Sequence, residues 1–379
     1  MAEGNGPRVR VRWRNWWRNI HLWIGLSLFL VLAPLGLSGS LLVWGDAVDK
    51  LQHPHRYEVS PGSRPPADYL ASATTAFAGR ATPAQIKLPE GPGQAVTVTG
   101  YAPSPAAPGQ RPPQLMAWID PASGRVLDVA DPRQDLRGVI HRLHGNLLLP
   151  QNGRPVVGWL GLAMLVSSLT GLIVWWPKNL AQAVRWKRSP SSWSNLHHLT
   201  GFLICIPLAA LSLSGASIAF PKALSAIWPA PAGHTHNAGG REGERGRFAP
   251  PLPAPHTSLD AALAAARAIA PPSARLASIS LPTASPRPSW KLQFEAGGRP
   301  LAVQVDDARG KARPPHGPDA GGREGGADPL ARFMRGLHDG SGLGPVWKAI
   351  IALAGLAPTL LGLTGAVIWS SRRLRTRPR

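Results

Sequence analysis

The chain has 379 residues and carries 41 lysines and arginines against 20 aspartates and glutamates, which gives a formal net charge of +21. Its single cysteine, Cys205, excludes an intrachain disulfide. The basic residues cluster beside long apolar segments, which favours membrane topology and contact with anionic lipid headgroups and excludes nucleic acid as the expected partner.

Four apolar segments, at 20–44, 155–176, 198–220 and 345–369, are each long enough to cross a bilayer, which requires about 20 residues. They contain no Asp or Glu, and Lys348 is their only Lys or Arg. The first segment is longer than the apolar core of a signal peptide, about 7–15 residues, and three more follow, so we interpret it as a span. The sequence therefore predicts a mainly α membrane protein with four transmembrane helices.

Clusters of Arg and Lys orient the spans by the positive-inside rule, which places all three clusters in the cytoplasm. The clusters are Arg8, Arg10, Arg12, Arg14 and Arg18; Lys178, Arg185, Lys187 and Arg188; and Arg372, Arg373, Arg375, Arg377 and Arg379. Both termini are then cytoplasmic, and the two long connections are external. The predicted divisions outside the spans are the N-terminus (1–19), two external modules (45–137 and 221–336), two outer histidine segments (138–154 and 337–344), a cytoplasmic loop (177–197) and the C-terminal tail (370–379).

The external connections have helix and strand patterns. LDAALAAARAIA, from Leu259, predicts a short helix, and SWKLQFEAGG with LAVQVDDARGK predicts two strands joined by a turn at Gly297 and Gly298. QAVTVTGY and QLMAWIDPASGRVLDV repeat this scheme in the first connection, so we expect a small α+β module in each. His234 and His236 lie in a Gly-rich stretch, where a solvated pair is expected rather than a metal site.

The sequence also repeats itself across the spans. The segment from Asn19, NIHLWIGLSLFLVLAPLGLSGS, aligns without a gap with NLHHLTGFLICIPLAALSLSGA from Asn195. The same spacing of 18 residues separates His21 from Gly39 and His197 from Gly215, and a spacing of 27 separates His144 from Gly171 and His338 from Gly365. The chain is therefore interpreted as two copies of span, external module and span, in the same orientation and related by an axis along the membrane normal.

This repeat selects two symmetric pairs of histidines. His21 and His197 lie at the cytoplasmic boundary, whereas His144 and His338 precede the inward-going spans at the external one. The alternatives His141 and His198 rank lower, because the repeat aligns them with Arg335 and Leu22. Adjacent helical residues also point about 100° apart, so one member of the His197–His198 dipeptide faces away from a partner helix.

Paired imidazoles from different helices favour b-type haem over zinc. Zinc normally takes four ligands, commonly with Cys or carboxylate among them, and the spans contain no Asp or Glu. A haem needs one imidazole on each side and an apolar slot, and six-coordinate iron points to electron transfer. Glycines that open such slots are Gly25, Gly39, Gly171, Gly201, Gly215 and Gly365. The alternative is that each histidine is only an interfacial polar residue.

The blocks IHLWIGLSLFL, HRLHGNLLL, LTGLIVWWP and LHHLTGFLICIPLAALSLSG resemble the PepSY-associated transmembrane family of bacterial inner-membrane proteins. The resemblance covers nearly the whole chain and is strongest in the spans. It implies PepSY-like modules in the periplasm, a link to iron uptake and, as in the haem-containing ferric-siderophore reductases of the family, haem ligation by His21, His144, His197 and His338.

We therefore expect an inner-membrane protein with two b-type haems that passes electrons from a cytoplasmic or quinol donor to a periplasmic ferric siderophore or other ferric chelate. The chain has no visible phosphate loop and no G-x-G-x-x-G before a helix, so no nucleotide or flavin site is expected. Two other functions fit the sequence. One is a non-enzymatic, membrane-anchored PepSY regulatory or binding protein, and the other is a metal permease with an entry site at His141, His144 and His338.

Overall fold

The structure is a computed structural model that describes residues 6–103, 112–149, 152–176, 192–221, 223, 249–297, 299–313 and 329–375. It divides into a helical unit, formed by residues 1–45, 139–229 and 329–379, and a sheet unit, formed by 46–138 and 230–328. Several residues of the sequence analysis lie outside the described residues: Lys178, Arg185, Lys187, Arg188, His234, His236, Gly298, Arg377 and Arg379.

The helices are, in chain order, α1 (Gly6–Val43), α2 (Gly45–Gln52), α3 (Pro66–Phe77), α4 (Leu136–Asn146), α5 (Gly153–Trp175), α6 (Ser192–Ala219), α7 (Leu259–Arg267), α8 (Pro329–Asp339) and α9 (Gly344–Arg375). The strands are β1 (Thr82–Lys87), β2 (Val96–Tyr101), β3 (Gln114–Ile119), β4 (Val126–Ala130), β5 (Arg275–Ser280), β6 (Ser289–Ala296), β7 (Arg299–Asp306) and β8 (Ala312–Arg313). A single 3₁₀ turn, Pro54–Tyr57, precedes α3.

Four helices of the helical unit are long and apolar enough to cross a membrane, as the sequence predicts: Trp13–Val43 of α1, Gly153–Trp175, Ser192–Ala219 and Gly344–Leu374 of α9. The first and third begin earlier than predicted, because each helix continues beyond the apolar run, into an Arg- and Trp-rich flank in the first and into a polar flank with Trp193 in the third. Exposed apolar side chains such as Leu30, Ile206 and Leu353 cover their outer surface, as expected of surfaces that contact lipid.

The four spans pack so that α1 and α6 each contact both α5 and α9. Where α1 meets α9, a Cβ on Gly36 would overlap the carbonyl oxygen of Gly355, so the two backbones approach as closely as glycine permits. Ser40 Oγ donates a hydrogen bond to Ala352 O (2.7 Å) across the same contact. Small residues therefore set the distance between these two spans.

The sheet unit contains one antiparallel sheet with the strand order β4-β3-β2-β1-β5-β6-β7-β8. This differs from the predicted separate module in each connection, because β1 pairs with β5 and joins the two sets of strands. The pairing occupies the N–H and C=O groups that two separate edge strands would leave open. Ile86 lies opposite Ile279 at this junction, and both are fully buried.

The core of the sheet unit lies on one face of this sheet. Helix α3 packs against β1 to β4, and α7 packs against β6 to β8. The largest buried hydrophobic side chains are Trp290, Tyr69, Phe77 and Phe294. The helix that begins at Leu259 and the turn at Gly297, which has a φ of +55°, agree with the sequence analysis.

The packing of β2 against α3 makes Gly100 sensitive to substitution. A Cβ there would lie 2.7 Å from Phe77 Cε2 and 3.0 Å from Thr82 O, so Gly100→Ala is expected to lower the free energy of unfolding by about 1–3 kcal/mol. Gly91→Ala is the matched control, because nothing lies within 4 Å of its Cβ position. Thermal unfolding of the purified protein measures both, and equal midpoints would contradict the predicted packing.

Candidate functional site

The structure brings the four selected histidines together as two pairs. His21 of α1 faces His197 of α6, with 6.3 Å between ring centroids and 77° between the ring planes. His144 of α4 faces His338 of α8, with 5.9 Å between centroids and 39° between planes. We call His21 with His197 the span pair and His144 with His338 the pre-span pair. Each pair takes one histidine from the first half of the chain and one from the second.

Each imidazole packs against a glycine of a neighbouring helix. A Cβ built on that glycine would fall within contact distance of the ring Cε1, and in three cases within 3.0 Å, where a real Cβ is not tolerated. The distances are 2.9 Å for Gly171 and His21, 3.5 Å for Gly365 and His197, 2.8 Å for Gly39 and His144, and 2.9 Å for Gly215 and His338. These glycines therefore admit the rings between the helices.

The ring nitrogen Nδ1 is held by the helix that carries the glycine. His21 Nδ1 donates to Ser167 O (3.0 Å), His144 Nδ1 to Leu35 O (2.9 Å) and His338 Nδ1 to Leu211 O (3.1 Å). Because a carbonyl oxygen only accepts, Nδ1 carries the proton in these rings and Nε2 carries the lone pair. His197 Nδ1 lies 2.8 Å from Thr364 Oγ1. Metal-binding histidines are commonly oriented by hydrogen bonds of this kind.

A hydroxyl residue precedes each of the four glycines, and its Oγ lies near the same Nδ1. The distances to Nδ1 are 3.4 Å for Thr170 and His21, 2.8 Å for Thr364 and His197, 3.4 Å for Ser38 and His144, and 3.2 Å for Ser214 and His338. The sequence analysis assigned no role to these hydroxyls. Their repetition in the Leu-Ser-Gly and Leu-Thr-Gly triplets is the feature from which such a role could have been predicted. One Ser/Thr-Gly dipeptide thus supports each histidine.

The span pair lines a cavity of about 670 Å³ within the helical unit. This volume lies in the range of about 300–1,000 Å³ that is usual for cofactor and ligand sites. Its apolar lining includes Phe29 and Leu361, and its glycines include four of those predicted to open slots: Gly25, Gly171, Gly201 and Gly365. Arg18 and Arg372 also line it, so a ligand with acidic groups would meet cationic partners there.

The two lower-ranked histidines lie differently. The ring of His198 stacks on Trp175 of α5, with 5.9 Å between centroids and 14° between planes. The side chain of His141 is exposed on α4. Neither replaces a member of the two pairs in this structure, although His198 also lines the cavity.

The pre-span pair consists of neutral imidazoles at physiological pH. Burial lowers the pKa of the His144 ring, and it lowers the pKa of His338 to about 4, with a further contribution from the neighbouring His144. Removal from water disfavours the charged form of an imidazole. Both rings therefore keep a nitrogen lone pair available for a metal ion at neutral pH.

The fold and the spans define a membrane protein with an α+β unit outside the membrane-spanning helices. Residues 18–372 match the profile of the PepSY-associated TM region. The chain therefore belongs to the PepSY-associated transmembrane family. No curated protein matches it significantly in sequence.

The hydroxyl of Thr364 should contribute to the stability of the span pair. Thr364 is fully buried, so Thr364→Val removes the oxygen beside His197 Nδ1 while nearly preserving the side-chain shape. We expect the free energy of unfolding to fall by about 1–3 kcal/mol, with a lower thermal midpoint in detergent. Thr359→Val on the same helix is the control, because its hydroxyl makes only a 3.5 Å contact with Ala33 O. An unchanged Thr364→Val midpoint would contradict this role.

Proposed function

We propose that the protein is a dihaem electron-transfer protein in which each histidine pair holds one b-type haem through Nε2. The observation that carries this proposal is the recurrence of one arrangement at both pairs: two imidazoles face each other, and hydrogen bonds fix each ring through Nδ1. Each pair would offer a metal ion two imidazole nitrogens, one from each half of the chain. This is the donor set of bis-histidine haem.

The ring separations fit this ligand set. A metal ion bonded to two imidazoles at about 2.0–2.1 Å separates the nitrogens by about 4 Å, and each ring centre lies roughly 1 Å further back, which gives about 6 Å between centroids. The observed values are 6.3 and 5.9 Å. The cavity that the span pair lines provides room for a flat macrocycle. Arg18 and Arg372 would face its acidic groups.

The chain's own residues would supply orientation, basicity and exclusion of water. The hydrogen bond from Nδ1 to a helix carbonyl fixes the ring and makes Nε2 a better donor. When bound, haem supplies one-electron oxidation and reduction. Ser167, Leu35 and Leu211 provide the carbonyls that hold three of the rings, while the apolar lining keeps the surroundings dry.

We further propose that the two halves of the chain are parallel repeats. Equivalent contacts support this: the Ser/Thr-Gly dipeptides hold one histidine each, and α1 contacts α5 and α9 as α6 does. The sheet adds support, because Ile86 and Ile279 occupy the same position in β1 and β5 and lie opposite each other. Pairing of equivalent residues is expected where an axis of twofold symmetry crosses a sheet.

The proposed location is the bacterial inner membrane, with both termini in the cytoplasm and the sheet unit in the periplasm. Two contacts support grouping the basic clusters at one end of the helical unit. Arg14 of α1 donates to Val174 O (2.7 Å) at the end of α5, and Arg18 and Arg372 line the same cavity. Positive residues gather on the cytoplasmic side of membrane proteins.

The substrate we propose is a ferric siderophore or another ferric chelate on the periplasmic side, which makes the protein a ferric-chelate reductase. His21 and Gly39, which contacts His144, are 18 residues apart on α1, about 27 Å along a helix. The span pair and the pre-span pair are thus near opposite ends of a hydrocarbon core of roughly 30 Å. The span pair would receive electrons from a cytoplasmic or quinol donor, and the pre-span pair would face the chelate.

Haem content tests the ligand assignment. The purified protein is expected to contain about two b-type haems per chain with a low-spin spectrum, because each pair provides two imidazole ligands. His21→Ala and His197→Ala should each remove one haem, and His144→Ala and His338→Ala should each remove the other. His198→Ala and His141→Ala are matched controls that should retain both.

Two results would contradict this assignment. A colourless protein from haem-replete cells would exclude the electron-transfer function and favour a regulatory or binding protein with PepSY modules. A loss of haem in His198→Ala without a loss in His197→Ala would show that the neighbouring histidine is the ligand.

Reoxidation kinetics test the substrate. In chemically reduced protein, a ferric siderophore should reoxidise both haems, and His144→Ala should slow the reaction strongly because the pre-span pair is the proposed exit. His234→Ala is the control for loss of an external histidine. Stopped-flow absorbance measures the rates. Reoxidation by another external acceptor, with no response to any ferric chelate, would retain the dihaem protein and overturn the iron substrate.

A further inference from the structure

A second group of histidines lies in the sheet unit and has no part in the proposed electron transfer. His53 and His55 precede Arg56 in the segment HPHRY, where the 3₁₀ turn Pro54–Tyr57 follows α2. The turn brings both imidazoles to the same set of carboxylates, with 5.9 Å between the ring centroids. The carboxylates belong to Asp49, Asp128 and Asp135.

Arg56 organises these carboxylates. It is only 2% exposed, and its guanidinium bonds Asp49 Oδ1 at 3.0 Å, Asp128 Oδ2 at 2.7 Å and Asp135 Oδ2 at 2.8 Å. The guanidinium carbon also lies 3.7 Å from the centre of the Trp118 ring. Burial alone would raise the pKa of the Asp128 carboxyl, but the hydrogen bond and charge of Arg56 lower it below its usual value. Asp128 is therefore ionised at neutral pH.

The two histidines complete a set of metal-ligand atoms. His53 Nε2 is buried, has no hydrogen-bond partner among the described residues and lies 3.7 Å from Asp135 Oδ1. His55 Nε2 lies 3.5 Å from Asp128 Oδ2. The ligand atoms of His53, His55 and Asp128 all lie within 4.8 Å of one another, and so do those of Asp49, His53 and Asp135.

The charges of this group are unbalanced without a further cation. Three carboxylates contact one guanidinium, so these four side chains together carry a net charge of −2. Partly buried charge is unfavourable unless it is paired. Two positive charges would balance this excess. One divalent cation supplies the same charge and also uses the unpartnered Nε2 of His53.

We propose that His53, His55 and Asp128, with Asp135 as a further carboxylate, bind a divalent first-row transition-metal ion. Two imidazoles and a carboxylate are a nitrogen and oxygen donor set that suits zinc and ferrous iron. The guanidinium of Arg56 would hold both carboxylates in place. This site is separate in residues and chemistry from the two histidine pairs, and it stands whether or not those pairs hold haem.

Titration of Zn²⁺ into the purified full-length protein, followed by calorimetry, tests the site. The wild type is expected to bind one Zn²⁺ more than the His53→Ala/His55→Ala double variant. His55→Ala alone should weaken that binding by about 100-fold or more, since loss of an outer-shell partner already costs about 10–100-fold. His256→Ala is the matched control, because this exposed histidine of the sheet unit is not one of the proposed ligands.

The design separates loss of ligand from loss of fold. The side chain of His55 is 47% exposed, so His55→Ala should unfold at the wild-type temperature in the absence of metal. Zn²⁺ should then raise the midpoint of the wild type and of His256→Ala by more than that of His55→Ala, since a ligand stabilises the state it binds. Anaerobic titration with Fe²⁺ compares the second candidate ion. Superimposable Zn²⁺ titrations of the wild type and the double variant would overturn the proposal.

Discussion

The contact between an imidazole and a glycine of the neighbouring helix is the constraint on which the helical unit depends. Any Cβ at Gly39, Gly171 or Gly215 would overlap a histidine ring, so helix spacing and ring position are fixed together. In a membrane, close packing of small residues takes the place of the hydrophobic effect as the force that associates helices. These three glycines therefore both let neighbouring helices approach and position the candidate ligands.

A polar ring inside an apolar bundle must satisfy its hydrogen bonds internally. Three of the four Nδ1 atoms do so on carbonyl oxygens of a neighbouring helix, and His197 Nδ1 does so on the hydroxyl of Thr364. Those carbonyls already take part in their own helix, and an oxygen with two lone pairs accepts a second donor. Because Nδ1 is used in this way, Nε2 is left for a ligand. The hydrogen bond at Nδ1 thus satisfies the polar ring and at the same time leaves the lone pair of Nε2 free.

Much of the helical unit could be predicted from the sequence, since the absence of acidic residues and the length of the apolar runs identify the four spans directly. The histidine pairs followed from the spacing of His21 to Gly39 and its copy, because a repeat carries information on contacts that single residues do not. The supporting hydroxyls were missed, although Ser38 and Thr170 lie within the repeated triplets. Serine and threonine are common in spans, and only the contact with Nδ1 distinguishes these ones.

The pairing within the sheet unit could not be predicted from local sequence patterns. Alternating apolar residues predicted β6 and β7, but nothing local encodes that β1 pairs with β5 across nearly 200 residues. The group around Arg56 is equally non-local, since Asp49, Asp128 and Asp135 come from different elements. The segment HPHRY contains the two histidines and the arginine of this group, but the sequence alone does not show which carboxylates they contact. Long-range charge pairing has no periodicity that a sequence displays.

The division of each histidine pair between the two halves of the chain has a consequence for biosynthesis. His21 and His144 are translated before their partners, His197 and His338, exist. The first half therefore exposes two single imidazoles and an unpaired β1 edge while the second half is still emerging. Contacts of such large sequence separation form slowly. A metal or cofactor can bind both rings of a pair only after α6 has formed at the span pair and α8 at the pre-span pair. Such binding would therefore be a late event in maturation.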